Sequence, residues 1–92
     1  MYLEIVSPEA TLFAGEVTAV TVPGIDGEFQ MLNNHAPIVS LLQEGKVRIK
    51  GNIVLDDAYG DQFTKASNGD TILKISSGTV EMKNNRVIVL AD

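Results

Sequence analysis

Apolar and polar residues alternate with a period of two along most of the chain, and no long segment carries the 3.6-residue period of a helix. In Lys46–Lys50 the two apolar residues face one way and the three bases face the other. In Thr79–Lys83 the same alternation turns Val80 and Met82 inward. Because side chains alternate between the two faces of a strand, both segments are predicted to be half-buried β-strands.

The same pattern predicts strands throughout the chain, separated by the Gly, Pro and Asn residues that favour turns. The remaining predicted strands are Leu3–Val6, Leu12–Ala14, Val17–Val22, Glu28–Leu32, Ile38–Leu42, Ile72–Ser76 and Arg86–Leu90. Turns are predicted at Pro23-Gly24, Asp26-Gly27, Asn33-Asn34, Asn68-Gly69 and Asn84-Asn85. Many short strands at even spacing are typical of an antiparallel β-sandwich or barrel, so the predicted fold class is all-β.

Two segments depart from this simple alternation. Arg86–Leu90 is apolar on both faces, which is typical of a strand enclosed between two sheets or of one whose outer face meets a partner. We favour the enclosed position. Residues 51–70 contain the apolar run Ile53–Leu55 and the turn signal Asn68-Gly69, and they are predicted to form an extended hairpin or a long loop.

Length and charge narrow the class of protein. The 92 residues are predicted to form one domain, residues 1–92, with a modest core. No apolar run approaches the roughly 20 residues of a membrane span, and the first residues lack a secretory signal, so a cytoplasmic origin without direct membrane insertion is expected. The net charge of −5 disfavours nucleic acid as a partner. Residues 1–45 hold six acids and no Lys or Arg, which indicates an acidic contact surface or simply a solvated face.

Residues that carry chemistry are scarce. The absence of cysteine and the presence of one histidine exclude thiolate and paired-imidazole metal sites. His35 stands in a turn-rich segment and is interpreted as a structural hydrogen-bonding residue rather than a general base. The acidic run 56–61 lacks the ligand pattern of a calcium loop, and Gly24–Gly27 is too short for a phosphate loop. We therefore predict no catalytic, metal or cofactor site, and a domain that acts through its surface.

Three segments carry a family resemblance. The first is Ile5–Glu9 followed by Phe13–Val17, the second is Val20–Phe29 followed by His35–Ile38, and the third is Ile75–Met82 followed by Asn85–Asp92. In this order and at this spacing they resemble the epsilon subunit of F-type ATP synthases over most of the chain. The resemblance implies a β-sandwich of two five-stranded sheets, about ten short strands in all.

The resemblance also implies a function and a location. In the family this domain is a non-catalytic part of the rotary central stalk. It packs against the gamma subunit, rests on the polar loops of the membrane ring of c subunits, and couples proton flow to ATP synthesis. The expected location is the cytoplasmic face of the bacterial inner membrane, as a peripheral part of the ATP synthase.

Site residues follow from the resemblance only where the motifs match. Glu28, beside Gly27, matches the acidic turn residue that faces the rotor ring, and Asp26 is expected to add complementary charge. Architectural roles in turns or close packing are expected for the matching glycines and for the proline that follows the histidine. These residues are Gly24, Gly27, Pro37 and Gly78.

A second set of residues matches the segment that faces gamma in the family. These are His35, Ile38, Ser40 and Leu42. Strand alternation places Val39 and Leu41 on the other face, so we expect Ile38 and Leu42 at the interface and these two in the core. The alternative is that both sets are buried within the domain.

Departures from the family pattern leave some points open. The chain ends at Ala91-Asp92, where longer family members begin a C-terminal helical hairpin, so the chain is either a naturally short form or a shortened one. Residues 51–70 are longer than the usual connection. A stand-alone β-sandwich module that binds a ligand such as a carbohydrate is the alternative function, although aromatic residues make up only 5% of the chain. A small hydrolase fits least, because the residues it needs are missing.

Overall fold

The fold is described from a computed structural model that covers residues 1–92. It contains ten β-strands and one short 3₁₀ turn, Gly60–Gln62. The strands are β1 Tyr2–Val6, β2 Thr11–Glu16, β3 Ala19–Gly24, β4 Gly27–Leu32, β5 Ile38–Leu42, β6 Gly45–Lys50, β7 Phe63–Lys65, β8 Thr71–Ile75, β9 Gly78–Lys83 and β10 Arg86–Ala91. None of these elements is a helix with the length and apolar character needed to cross a lipid bilayer.

The strands form one strongly curled sheet that folds into two facing halves. The hydrogen-bonding order is β2-β1-β10-β9-β5-β3-β6-β8-β7, and β4 pairs with the free side of β3. One half consists of β2, β1, β10, β9 and β5, and the other consists of β4, β3, β6, β8 and β7. Backbone pairing joins the halves at a single residue pair, Gly24 with Leu42. The predicted all-β sandwich is confirmed, with its two five-stranded layers continuous at this one point.

The core lies between the two halves. Twenty buried apolar residues form one cluster, to which both halves contribute. Val47 and Ile49 of β6 and Val80 and Met82 of β9 all point into it, as the alternation of those strands predicts. Burial of this apolar surface is the main contribution that holds the two halves together. Their strands pair at one position only, with two backbone hydrogen bonds beside it, from Ile25 to Leu41 and from Gln43 to Pro23.

The position predicted for the last strand is wrong. β10 pairs with β1 in parallel and with β9 antiparallel, so it lies within one layer and not between two sheets. Val87 and Val89 are buried, but Leu90 on the opposite face is 50% exposed and Ile88 is only half-buried. The apolar residues on both faces of β10 therefore have two different environments, the core and an open surface.

Residues 51–62 connect β6 to β7 and cover part of the core. Ile53, Leu55 and Tyr59 are partly buried and pack against the core cluster. The strand β7, which the sequence pattern does not predict, follows and pairs with β8. The segment thus combines a loop, a 3₁₀ turn and a short hairpin.

Candidate protein-docking site

The orientation of β5 is the reverse of the one expected. Ile38, Ser40 and Leu42 lie directly opposite Met82, Val80 and Gly78 of β9. Residues directly opposite on neighbouring strands point to the same side of a sheet, and Val80 and Met82 point into the core.

The expected interface residues Ile38, Ser40 and Leu42 therefore face inward. Leu42 is buried, and Ile38 packs against the core. Val39 and Leu41, expected in the core, are instead 73% and 58% exposed.

These two side chains belong to a larger exposed apolar surface. Across the sheet, Val39 lies in one row with Glu81 and Ile88, and Leu41 lies in the next row with Thr79 and Leu90. At the border Ile25, itself exposed, donates its backbone N–H to the carbonyl oxygen of Leu41 at 3.2 Å. We call the surface formed by Ile25, Val39, Leu41, Ile88 and Leu90 the apolar face.

The end of the apolar face near Leu41 and Leu90 is concave. A shallow hollow of about 480 Å³ lies there, lined by Ile25, Leu41, Leu42, Ser77, Gly78, Thr79, Leu90 and Asp92. Gly78 and Thr79 of β9 line it between Leu41 of β5 and Leu90 of β10. Exposed aliphatic side chains on both sides of one strand, here with Thr79 and Glu81 between them, and a concave end are typical of a site that another protein covers.

His35 and Pro37 lie on the connection that leads into β5. Both are exposed. The backbone N–H of His35 donates to the carbonyl oxygen of Leu32 at 3.0 Å, and its ring Nδ1 lies 2.7 Å from the carbonyl oxygen of Ala36. The structure thus places His35 beside the start of the apolar face, with its ring held against the local backbone.

The acidic residues expected to face the rotor ring lie at the β3–β4 hairpin. Its two-residue turn consists of Ile25 and Asp26, and Glu28 follows on β4. Asp26 and Glu28 are both exposed. The Glu28 carboxylate lies 3.7 Å from Nε of Arg48, a distance at which two exposed charges interact weakly. Both carboxylates thus remain accessible at one end of the sandwich.

Two glycines shape this hairpin in different ways. Gly27 has φ +127°, a backbone conformation that residues with a side chain rarely adopt. Gly24 lacks such a torsion, but a Cβ there would lie 2.8 Å from the Phe29 ring and 2.8 Å from the Gly27 carbonyl oxygen. Both glycines thus shape the backbone of the hairpin that carries Asp26 and Glu28.

The outer face of the other half differs in charge. Lys46, Arg48, Lys50 and Lys74 lie there, with Lys46 directly opposite Lys74. The two outer faces of the sandwich thus differ: one carries Val39, Leu41 and Leu90, and the other carries these four bases, with Glu28 near Arg48. Neither the apolar face nor this concentration of charge follows from composition alone, because both depend on which strands are neighbours.

The fold and its exposed apolar face define a class of protein, a small β-sandwich with a surface suited to contact with other proteins. A family model described as the beta-sandwich domain of the ATP synthase Delta/Epsilon chain matches residues 1–59. The chain belongs to this family of ATP synthase epsilon chains, as the sequence resemblance implies, and the family is one of non-catalytic subunits.

Individual relatives support the same assignment. The ATP synthase epsilon chain of Chlorobium limicola is 38% identical over 90 residues, which span 98% of this chain and 86% of the relative. The ATP synthase epsilon chain of Desulforamulus reducens is also 38% identical over 90 residues, but these span 57% of its length. The chain therefore corresponds to most of one relative and to little more than half of another.

Solved structures share the fold. A chain of the central stalk and c-ring of the Tetrahymena thermophila mitochondrial ATP synthase matches with a TM-score of 0.73 at 14% identity, covering 99% of this chain and 62% of that one. A chain of the Euglena gracilis mitochondrial ATP synthase matches with a TM-score of 0.72 at 18% identity, covering 97% and 48%. At 14% and 18% sequence identity, these matches show a shared fold and nothing further.

Proposed function

We propose that the chain is a central-stalk subunit of a proton-translocating F-type ATP synthase, which binds the gamma subunit and the ring of c subunits and couples proton flow to ATP synthesis. Residues 1–92 act as one domain in this role. The domain is peripheral to the bacterial inner membrane, on its cytoplasmic face, and is held there by its two protein partners.

The apolar face is the observation that supports this proposal. It exposes four aliphatic side chains that water solvates poorly, at Ile25, Val39, Leu41 and Leu90. Burial of such surface is the dominant favourable term in most protein association. We assign the gamma interface to this face, with His35 at its margin, in place of the inward-facing residues of β5.

The second contact is proposed at the β3–β4 hairpin. Asp26 and Glu28 present two exposed carboxylates there, suited to basic side chains on the loops of the ring. The hairpin adjoins the apolar face through Ile25, so one connected surface serves both partners.

Val39→Asp is expected to weaken binding of purified gamma about 30-fold or more while the domain remains folded. The substitution places a second carboxylate directly opposite Glu81, within a surface that binding buries, where added negative charge is unfavourable. Val39 is 73% exposed in the free chain, so the free energy of unfolding should fall by no more than about 1 kcal/mol, a loss caused by the like charge of Glu81 opposite and the low strand preference of Asp. Titration calorimetry gives the affinity, and urea unfolding gives the stability.

Val54→Asp is the matched control. Val54 is 89% exposed and lies in the loop of residues 51–59, outside the apolar face. It should leave both affinity and stability unchanged. Failure of the folded wild-type chain to bind gamma contradicts the proposed function, and equal affinities of Val39→Asp and wild type contradict the assignment of the face.

Glu28→Lys is expected to weaken association with isolated rotor rings about fivefold, with the difference shrinking as salt is added. The replacement repels basic ring loops and also removes the weak attraction to Arg48. Asp57→Lys makes the same charge change in the 51–59 loop and should bind the ring like wild type. Cosedimentation with detergent-solubilised rings measures the association. Binding of the Glu28→Lys chain that is no weaker than that of the Asp57→Lys chain argues against the hairpin contact.

A further inference from the structure

Glu81 lies at the centre of the apolar face. It is exposed on β9, directly opposite Val39 of β5 on one side and Ile88 of β10 on the other. Directly opposite residues share one side of the sheet. A carboxylate is therefore flanked by aliphatic side chains on both neighbouring strands.

No basic group of the chain neutralises this carboxylate. The ion pairs within 4.0 Å are the amino terminus with Glu16, Arg48 with Glu28, and Arg86 with Glu4. Arg86 lies on the same side of the sheet, but its guanidinium donates to Glu4 at 2.9 Å and stacks 4.9 Å from the Tyr2 ring centre. Arg86 is therefore already engaged with two neighbours.

Lys83 is the other nearby base. It is two residues from Glu81 on the same strand and so on the same side of the sheet, and its ammonium group does not come within 4.0 Å of the Glu81 carboxylate. Water solvates Glu81 in the free chain. A partner that covers Val39 and Ile88 necessarily removes much of that water.

Removal of water from an unpaired carboxylate strongly disfavours binding unless new hydrogen bonds or an opposite charge replace it. We propose that the partner that covers the apolar face places a lysine or arginine side chain against Glu81. This proposal rests on the proposed function and adds the chemistry of the partner surface, which is aliphatic around one central cation. A single charge pair within an apolar contact also fixes the register of docking, because any displaced arrangement leaves both charges unpaired.

Glu81→Gln tests the proposal, because it removes the charge and keeps the shape. Against purified gamma we expect about tenfold weaker binding and a smaller loss of affinity between low and high salt than for wild type. Asp57→Asn, the same chemical change outside the face, should match wild type in both respects. Glu81→Lys should weaken binding further, and reversal of one Lys or Arg of gamma to Glu should restore part of that loss.

The possible outcomes distinguish failure of the proposed cation from failure of the proposed function. Wild-type binding that Val39→Asp weakens and Glu81→Gln leaves unchanged overturns the proposed cation and preserves the proposed function. Weakening by Lys83→Gln as large as that by Glu81→Gln also overturns it, since Lys83 would then be the charge that closes onto Glu81 in the complex. Absence of wild-type binding to gamma removes both proposals.

Discussion

Gly78→Ala is expected to lower the free energy of unfolding by about 3 kcal/mol, the upper part of the range for overpacked cores. A Cβ at Gly78 would lie 2.1 Å from the carbonyl oxygen of Leu90 and 3.3 Å from Cα of Ala91. Both neighbours are backbone atoms of β10, so no side-chain rotation relieves the clash. Relief requires separation of β9 from β10 beside the Gly78–Ala91 pair.

Gly60→Ala is the matched control for this substitution. A Cβ at Gly60 would meet nothing within 4 Å, and its backbone torsion is an ordinary one. We expect its stability to stay within about 0.5 kcal/mol of wild type. Urea unfolding followed by far-ultraviolet circular dichroism measures both variants. Equal stability of the two would contradict the close approach of β9 and β10.

Leu42→Ala is expected to cost about 2–5 kcal/mol of stability, whereas Leu41→Ala costs less than about 0.5 kcal/mol. Leu42 is 4% exposed, fills the core and belongs to the single pair that joins the two halves, while Leu41 is 58% exposed. In binding to gamma the order reverses, because Leu41 lies on the apolar face and Leu42 points away from it.

The same chemical change at adjacent positions makes this a direct test of the orientation of β5. Denaturant midpoints give the stabilities, and calorimetric titration of gamma gives the affinities. A large loss of stability at Leu41 and a small one at Leu42 would restore the orientation expected from the sequence and remove the basis for the apolar face.

Most of the fold follows from the sequence because most strands alternate cleanly. Lys46–Lys50 and Thr79–Lys83 each offer one apolar face, and the structure buries that face. The strand β7 escaped prediction because Phe63–Lys65 has three residues and one apolar side chain, too few to establish a period of two.

The docking surface could not be located from the sequence, and the reason is specific. Ile38–Leu42 and Arg86–Leu90 carry apolar residues on both faces, so alternation does not decide which face is buried. The pairing of β5 with β9 decides it, and that pairing is a long-range contact. Both strands border β9. The lack of alternation in β5 and β10 was the available signal for the docking surface. Two such strands on either side of β9 present apolar side chains outside the core.

The single backbone pair between Gly24 and Leu42 has a mechanical consequence. Under the proposed arrangement gamma contacts mainly β5, β9 and β10 of one half of the sandwich, with Ile25 at the border, and the ring contacts the β3–β4 hairpin of the other half. Torque would then load the domain in shear between its halves. With one backbone pair at the joint, resistance to that shear comes mainly from side chains interlocked in the core and from the loops that cross between the halves. The stiffness of this domain is thus set by the packing density of its core. Substitutions that loosen the core would make the central stalk more compliant at this point.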